Sequence, residues 1–185
     1  MNTDEKSFLT AFRTAADLNS ISWVRWIHQT QGKTHCPTCL KLNECWFYKK
    51  KAPKAPQHFL CHCETAPMAY SEVVDNATSA APYSKFDPYL FNVNNKYSHS
   101  KQAMFESWGY SVADSKWLQT EIEKQGLEKY VSGDYQLGRL NDQGQRISIR
   151  VEIPNRTDGS DVSFITGWMV RPNGQITLNT PYGGK

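Results

Sequence analysis

Hydrophobic residues recur along the chain with two periods, one typical of helices and one typical of strands. Residues 3–18 carry apolar side chains at helical spacing, which predicts an amphipathic helix. Residues 21–29, ISWVRWIHQ, have a two-residue period that predicts a strand. The segment KKKAPKAP at 49–56 is excluded from regular helix, because its two prolines remove backbone donors and fix φ.

Two further helices are predicted in the second half of the chain. The first lies within 98–109, where a serine can cap its start and a glycine its end. The second lies within 111–126, where Ser111 and Asp114 open the helix and Gly126 is its expected stop.

After residue 126 the period changes to two and predicts a run of strands at 134–140, 145–153, 162–170 and 175–179. Helices followed by consecutive strands imply an α+β fold, in which an antiparallel sheet has helices packed on one face. The segment 71–84 has a lower hydrophobic density and marks a boundary. We therefore predict a small N-terminal module at 1–72 and an α+β domain at 73–185.

Composition supports a globular protein, since hydrophobic residues make up 39% of the chain and charged residues 21%. No apolar run approaches the roughly 20 residues needed to span a bilayer, and no secretory signal is visible, so no membrane partner is expected. The net charge is only +3, and its excess lies in a lysine run at 49–54. Such a run is either a solvated loop or a surface that faces phosphate.

All five cysteines lie between positions 36 and 63, in the segments HCPTCLKLNECWF and QHFLCHCETAPM. Clustering with an odd count favours metal ligation over a secreted disulfide scaffold. A tetrahedral zinc ion needs four such ligands. We predict one structural zinc ion held by Cys36, Cys39, Cys61 and Cys63, with His58 as the leading substitute.

Two alternatives to zinc stay open, namely a disulfide-containing form, which includes a redox pair of Cys36 and Cys39, and free thiols. Cys45 lies in the strand-like sequence ECWFY and is predicted to be a core thiol, while His35 and His62 are predicted to face solvent. Nothing in the spacing suggests an open coordination position, so the metal is expected to be structural.

The cysteine module resembles the C-terminal end of phage minor head (head-morphogenesis) proteins of the phage Mu and SPP1 type. The resemblance covers about residues 20–68 and is carried by Trp26, Thr34, Cys36, Pro37, Cys39, Leu40, Leu42, Asn43, His58, Cys61, Cys63 and Pro67. The chain departs from that pattern at Phe59, where the family has proline, and at His62, where it has a basic residue. The long helical body of such proteins has no counterpart here.

The unit from Lys85 onward resembles a prophage and polymorphic-toxin C-terminal domain of unassigned function. The matching segments are KFDPYLFN (85–92), HSKQAMFESWGY (99–110) and GWMVRPNGQITLNTPY (167–182). Related prophage-borne toxin domains are ribonucleases of the barnase, EndoU, colicin and RelE-like group, so the resemblance implies RNA cleavage by analogy.

Metal-independent RNA cleavage needs a base for the 2′-hydroxyl, a donor to the leaving oxygen and cations around the phosphorane. His99 is the predicted base, because it stands at a helix start beside Lys96 and Lys101, and Lys101 is itself a predicted catalytic residue. Arg150, with Arg139 and Arg146 as alternates, is predicted to steady the phosphate, and Thr180 and Tyr182 are candidate donors. Glu152 is an alternative base. Each of these residues also has an ordinary structural explanation, as a solvated charge or a packed ring.

The absence of Walker, GxGxxG, GxSxG and HExxH motifs leaves nucleotide hydrolysis, Rossmann chemistry, serine hydrolysis and zincin proteolysis without support. A thiol nucleophile pair of Cys45 and His28 has nothing to recommend it. Three hypotheses follow. They are an antibacterial toxin-like effector with RNA as substrate and an immunity protein as partner, a non-enzymatic virion protein that binds capsid or portal, and a nucleic-acid-binding zinc module. We expect a bacterial cytoplasmic or virion-associated location.

Overall fold

The computed structural model describes residues 23–29, 37–55, 57, 61–92 and 99–184. The predicted N-terminal helix at 3–18 lies outside these residues. The described part contains helices, a three-stranded sheet with residues 23–27 at its centre, and a five-stranded sheet whose strands lie in the order 78–80, 175–184, 161–170, 144–154 and 136–141. The predicted α+β class is therefore confirmed.

The smaller sheet is built around the strand predicted at 21–29. Strand β1 (Trp23–Ile27) pairs antiparallel with β2 (Trp46–Tyr48) on one side and with β3 (Glu64–Met68) on the other. A single helical turn, α1 (Pro37–Leu40), precedes β2. The lysine run begins as a short 3-10 turn at 49–51, which agrees with the exclusion of regular helix there.

The larger sheet is antiparallel except at one edge. Its strands are β4 (Thr78–Ala80), β5 (Gln136–Asn141), β6 (Gly144–Pro154), β7 (Asp161–Val170) and β8 (Gln175–Gly184). Strand β4 was not predicted, and it lies parallel to β8. The last strand was predicted to end at residue 179, whereas β8 runs to Gly184 and pairs with β7 through two register shifts.

Three longer helices accompany the sheets, namely α2 (Tyr70–Asn76), α3 (His99–Ser107) and α4 (Ser115–Val131). The predicted capping pair is confirmed, because Ser111 and Asp114 form a reciprocal capping box. This capping box opens a 3-10 turn at 112–114, which leads directly into α4.

The prediction that Gly126 ends the second helix is wrong. Gly126 is a buried interior residue of α4, and a Cβ atom there would lie only 2.6 Å from Cη2 of Trp168 on β7. The glycine therefore lets the helix approach the sheet closely. The true stop is Gly133, whose φ of 75° supplies the left-handed conformation that commonly ends a helix.

Helices α3 and α4 cover one face of the larger sheet, as predicted. Strand β6 sends alternate apolar side chains into this core, namely Ile147, Ile149, Val151 and Ile153, all of which are buried. Its other face carries Arg146, Arg150 and Glu152, which are exposed. The two-residue period of the sequence thus separates core from solvent.

The two predicted units share one continuous hydrophobic core. The Tyr130 hydroxyl on α4 donates to the carbonyl oxygen of Trp46 at 2.7 Å. The Tyr135 hydroxyl accepts from the backbone N–H of Tyr48 at 2.9 Å. The predicted boundary between residues 72 and 73 falls within α2. The smaller sheet is therefore packed against the end of α4.

Candidate functional site

Three cysteine sulfurs converge beside the smaller sheet. The Sγ atoms of Cys39, Cys61 and Cys63 all lie within 4.8 Å of one another, and those of Cys39 and Cys61 are 3.7 Å apart. Three soft sulfur donors at this spacing can hold a metal ion. Cys36 and His58, the other two predicted ligands, lie outside the described residues.

Strand pairing explains how the chain brings these sulfurs together. Cys39 is fully buried in α1, and Cys63 immediately precedes β3. Continuing the register Ile27↔Glu64 by one step sets Cys63 opposite His28. The Nδ1 atom of His28 lies 3.3 Å from Cys63 Sγ. The site is thus held between a helical turn and the end of a β-ladder.

The electrostatic environment differs between the two closely spaced thiols. Burial raises the pKa of Cys61, but hydrogen bonds from the backbone of Cys63 and Gln57 outweigh it and lower the pKa to about 7. Burial and the neighbouring Cys61 raise the pKa of Cys63 above its usual value. Of these two thiols, Cys61 is thus the more readily deprotonated near neutral pH.

Cys45 stands apart from this group and is confirmed as a core thiol. It is fully buried, and its burial raises the pKa to about 12. Cys45, Cys61 and Cys63 are free thiols. His62 is exposed, as predicted, while His35 lies outside the described residues. Cys45 is therefore a packing residue and not a member of the sulfur cluster.

A second cluster of polar groups joins α3 to the end of β8. The Nζ atom of Lys101 lies 3.3 Å from Thr180 Oγ1 and 3.4 Å from Tyr89 Oη. The Thr180 hydroxyl in turn donates to the carbonyl oxygen of Tyr182 at 2.9 Å. The fold therefore brings two of the predicted catalytic residues, Lys101 and Thr180, into direct contact.

Predicted catalytic residues and their alternates also lie at the start of α3 and on β5 and β6. His99 is the first residue of α3, two positions before Lys101. Arg150 is exposed and donates to Ser163 Oγ at 2.9 Å. It lies on β6, so that β7 separates it from Thr180 on β8. Arg139, Arg146 and Glu152 are likewise exposed strand residues.

Tyr182 has the packing role that the sequence left open beside a catalytic one. Its half-buried ring lies 6.0 Å from the ring of Phe164 and 6.4 Å from that of Phe105. Phe105 and Phe164 are fully buried. The ring of Tyr182 therefore lies at the margin of the aromatic core, two residues from Thr180.

Three residues near these sites escaped sequence reasoning. His28 meets Cys63 through strand register, which spacing alone does not reveal. Lys85 ends a 3-10 turn at 83–85, and its ammonium group meets that of Lys101 at the ring of Tyr89. Lys85 and Tyr89 both lie in the segment KFDPYLFN. The resemblance of that segment to toxin C-terminal domains was the one sequence signal that could have pointed to Lys85 and Tyr89.

The lysine run has its own, smaller set of contacts. Lys49, Lys50 and Lys54 are exposed, while the Lys51 ammonium lies 5.4 Å from the centre of the Tyr135 ring.

Among the described residues, none of the helices combines the length and the apolar content needed to cross a bilayer.

Comparison with known proteins places most of the larger sheet and its helices in one family. The sequence profile of DUF6883, a domain of unknown function, matches residues 74–184. This range falls within the predicted unit 73–185 and covers more than half of the chain. Neither the curated proteins nor the solved structures include a match to this sequence. The chain therefore belongs to the DUF6883 family.

Proposed function

We propose that the chain is a prophage or polymorphic-toxin-type effector, in which a structural zinc ion stabilises the N-terminal part and the C-terminal domain cleaves RNA. One observation carries the proposal of RNA cleavage. Lys101 and Thr180, selected separately as catalytic candidates, are 79 positions apart in sequence and only 3.3 Å apart in space. A cation beside a hydroxyl suits the stabilisation of a phosphorane.

The choice of zinc follows from the donor set. Thiolates favour zinc over magnesium or calcium, and zinc has no redox chemistry to damage them. The three sulfurs join α1 to the segment before β3, so that bound metal would close the intervening loop. The fourth ligand would come from Cys36 or His58 as predicted, or from His28. A site filled by four protein ligands leaves no position for a substrate, which makes its role structural.

Metal analysis of the purified chain tests this assignment. We expect one zinc ion per chain by mass spectrometry, and Cys61→Ala or Cys63→Ala to lose it together with thermal stability, because binding free energy becomes folding free energy. Cys45→Ala is the matched control, since its thiol is buried elsewhere. Full zinc content in the Cys61→Ala and Cys63→Ala variants would contradict the proposal.

The reaction we propose is transfer of a phosphoryl group within RNA. A base removes the proton of a 2′-hydroxyl, the oxygen attacks the adjacent phosphorus, and the 5′-oxygen leaves with a proton from an acid. The products are a 2′,3′-cyclic phosphate and a 5′-hydroxyl. In this scheme His99 acts as base and Lys101 stabilises the phosphorane charge, while Thr180 holds the Lys101 ammonium group in place as its acceptor and Tyr182 is the candidate donor. Arg150 would bind RNA further along the sheet.

Incubation of the purified chain with total RNA, without added divalent metal, tests the activity. We expect degradation on a gel and arrest of growth when the chain is expressed. His99→Ala and Lys101→Ala should each slow cleavage by a factor of about 100 or more, as expected for loss of an acid–base or charge-stabilising group. Lys116→Ala, an exposed residue of α4, is the matched control. Intact RNA with the wild-type chain would refute the proposal.

A second candidate is a non-enzymatic virion protein. It is favoured by the resemblance of residues 20–68 to phage minor head proteins, and by Leu40 of α1, which is 52% exposed within that segment. An exposed leucine beside the sulfur cluster suits a protein contact. This alternative predicts co-purification with capsid or portal proteins and no toxicity, whereas the effector predicts a protective immunity protein.

A further inference from the structure

Two lysine side chains converge on one tyrosine ring. The Nζ atoms of Lys85 and Lys101 lie 5.6 and 5.5 Å from the centre of the Tyr89 ring. Lys85 is the last residue of the 3-10 turn at 83–85 and Lys101 lies on α3, so separate segments supply the two charges. All three side chains are half-buried. The electron-rich faces of the ring stabilise both cations only weakly, by about 0.5–1 kcal/mol each at exposed sites.

The positive charge of this cluster is not neutralised within the part of the chain that the structure describes. Neither ammonium group there has a carboxylate oxygen within 4 Å. Lys101 makes long contacts to two hydroxyls, and the Thr180 hydroxyl already donates its proton to a carbonyl. Lys101 is the donor in both contacts, and its ammonium group has a third N–H for a further acceptor. Such an arrangement is complementary to an anion with several acceptor oxygens.

An aromatic ring lies next to this cluster. Tyr182 is two residues beyond Thr180, and its ring is half-buried at the margin of the aromatic core. A partly exposed ring of this kind is a surface on which a nucleic-acid base can stack. A free phosphate ion would make no use of it. The combination of two cations and a neighbouring ring thus favours a nucleotide chain.

We propose that Lys85, Lys101 and Tyr89 form a subsite for one backbone phosphate of single-stranded RNA, and that Tyr182 stacks on the adjacent base. The inference rests on the proposed function for its substrate class and adds Lys85 and Tyr89 to the site. It assigns Lys85 to substrate binding and not to the chemical step. Loss of Lys85 should therefore raise KM and leave kcat nearly unchanged.

Binding to a fluorescent single-stranded DNA of about ten nucleotides tests the subsite, because DNA lacks the 2′-hydroxyl and is not cleaved. Fluorescence anisotropy of the full zinc-loaded chain should show weaker binding for Lys85→Gln and Lys101→Gln. For each variant, the negative slope of log K against log salt should become less steep by about 0.7. Lys116→Gln, on the exposed side of α4, is the matched control and should bind as the wild type does.

Two further measurements separate the interpretations. Tyr182→Leu keeps an apolar contact with Phe164 and should weaken DNA binding by about tenfold, whereas an unchanged affinity would exclude base stacking. Millimolar inorganic phosphate should compete poorly, and strong competition would indicate a free-anion site instead. An affinity for DNA that Lys85→Gln and Lys116→Gln leave equally unchanged would overturn the subsite.

The subsite and the proposed activity can fail independently. DNA binding that depends on Lys85, together with intact RNA after incubation, would refute cleavage and leave the subsite standing. RNA cleavage with an unchanged KM in Lys85→Gln would refute the subsite and leave the activity standing. Circular dichroism melting of each variant confirms that the fold is retained.

Discussion

Replacement of Gly126 by alanine should destabilise the protein, although the same change usually strengthens a helix. Gly126 is an interior residue of α4, where alanine is favoured by about 1 kcal/mol over glycine. An added Cβ atom would lie 2.6 Å from Cη2 and 3.0 Å from Cε2 of Trp168. Carbon atoms normally pack at about 3.5–4.0 Å, so the ring or the helix would have to move by about 1 Å.

Trp168 has little freedom to move away. Its ring is fully buried, and its indole N–H donates to Thr166 Oγ1 at 2.8 Å. The Thr166 hydroxyl donates in turn to the carbonyl oxygen of Ile149 at 2.9 Å. Overpacking in such a core costs about 1–3 kcal/mol, and displacement of the indole would add about 1 kcal/mol for its hydrogen bond. After the helical gain, we expect a net loss of about 1–3 kcal/mol.

Urea denaturation of the full chain, followed by far-ultraviolet circular dichroism, measures this loss. Lys124→Ala, an exposed change on the same helix, is the matched control and should stay within about 0.5 kcal/mol of the wild type. Trp168→Phe removes the ring atoms nearest Gly126, so the double variant should lose much less than the sum of the single variants. A Gly126→Ala variant as stable as the wild type would refute the reasoning.

Three other substitutions probe separate contacts by the same urea method. Asp114→Asn should cost about 1 kcal/mol by weakening a helix cap and the 2.5 Å ion pair with Arg156. Burial raises the pKa of Asp114, but hydrogen bonds, including that from Arg156, outweigh burial and lower it. The stabilisation by Asp114 is therefore present above the ordinary aspartate pKa and is lost as pH falls through the lowered pKa. A stability difference between Asp114→Asn and the wild type that persists in acid would contradict this. Tyr130→Phe should cost about 1–2 kcal/mol, because the carbonyl of Trp46 loses a buried donor, and an unchanged midpoint would exclude that role. Phe105→Ala should cost about 3–5 kcal/mol, since this fully buried ring contacts five others, and a loss below 1 kcal/mol would mean that the aromatic cluster readily collapses.

Much of the fold could be predicted because its strands and helices are amphipathic. The alternation of Ile147, Ile149, Val151 and Ile153 identifies both the strand and its buried face. The short strand β4 could not be predicted, since three residues carry too little pattern and its pairing partner lies almost 100 positions away. Gly126 misled the prediction because glycine serves both as a stop signal and as a point of close packing.

The candidate sites were predictable to different degrees. Cys39, Cys61 and Cys63 were identified correctly as neighbours, because Cys61 and Cys63 are two positions apart and a shared metal ion was expected to bring in Cys39 from 22 positions away. The approach of His28 to Cys63 depends on the β1–β3 register, which the sequence does not reveal.

The sequence by itself determined the local features of this protein. It shows which segments form strands, which face of each strand is apolar, and that Cys61 and Cys63 lie close together in the chain. These follow from periodicity and short spacing, which act within a few residues. The tertiary structure alone decided that Lys85 and Lys101 meet at the Tyr89 ring, and that Lys101 contacts Thr180 on β8. Contacts between distant segments depend on packing of the whole core, and no local pattern encodes them.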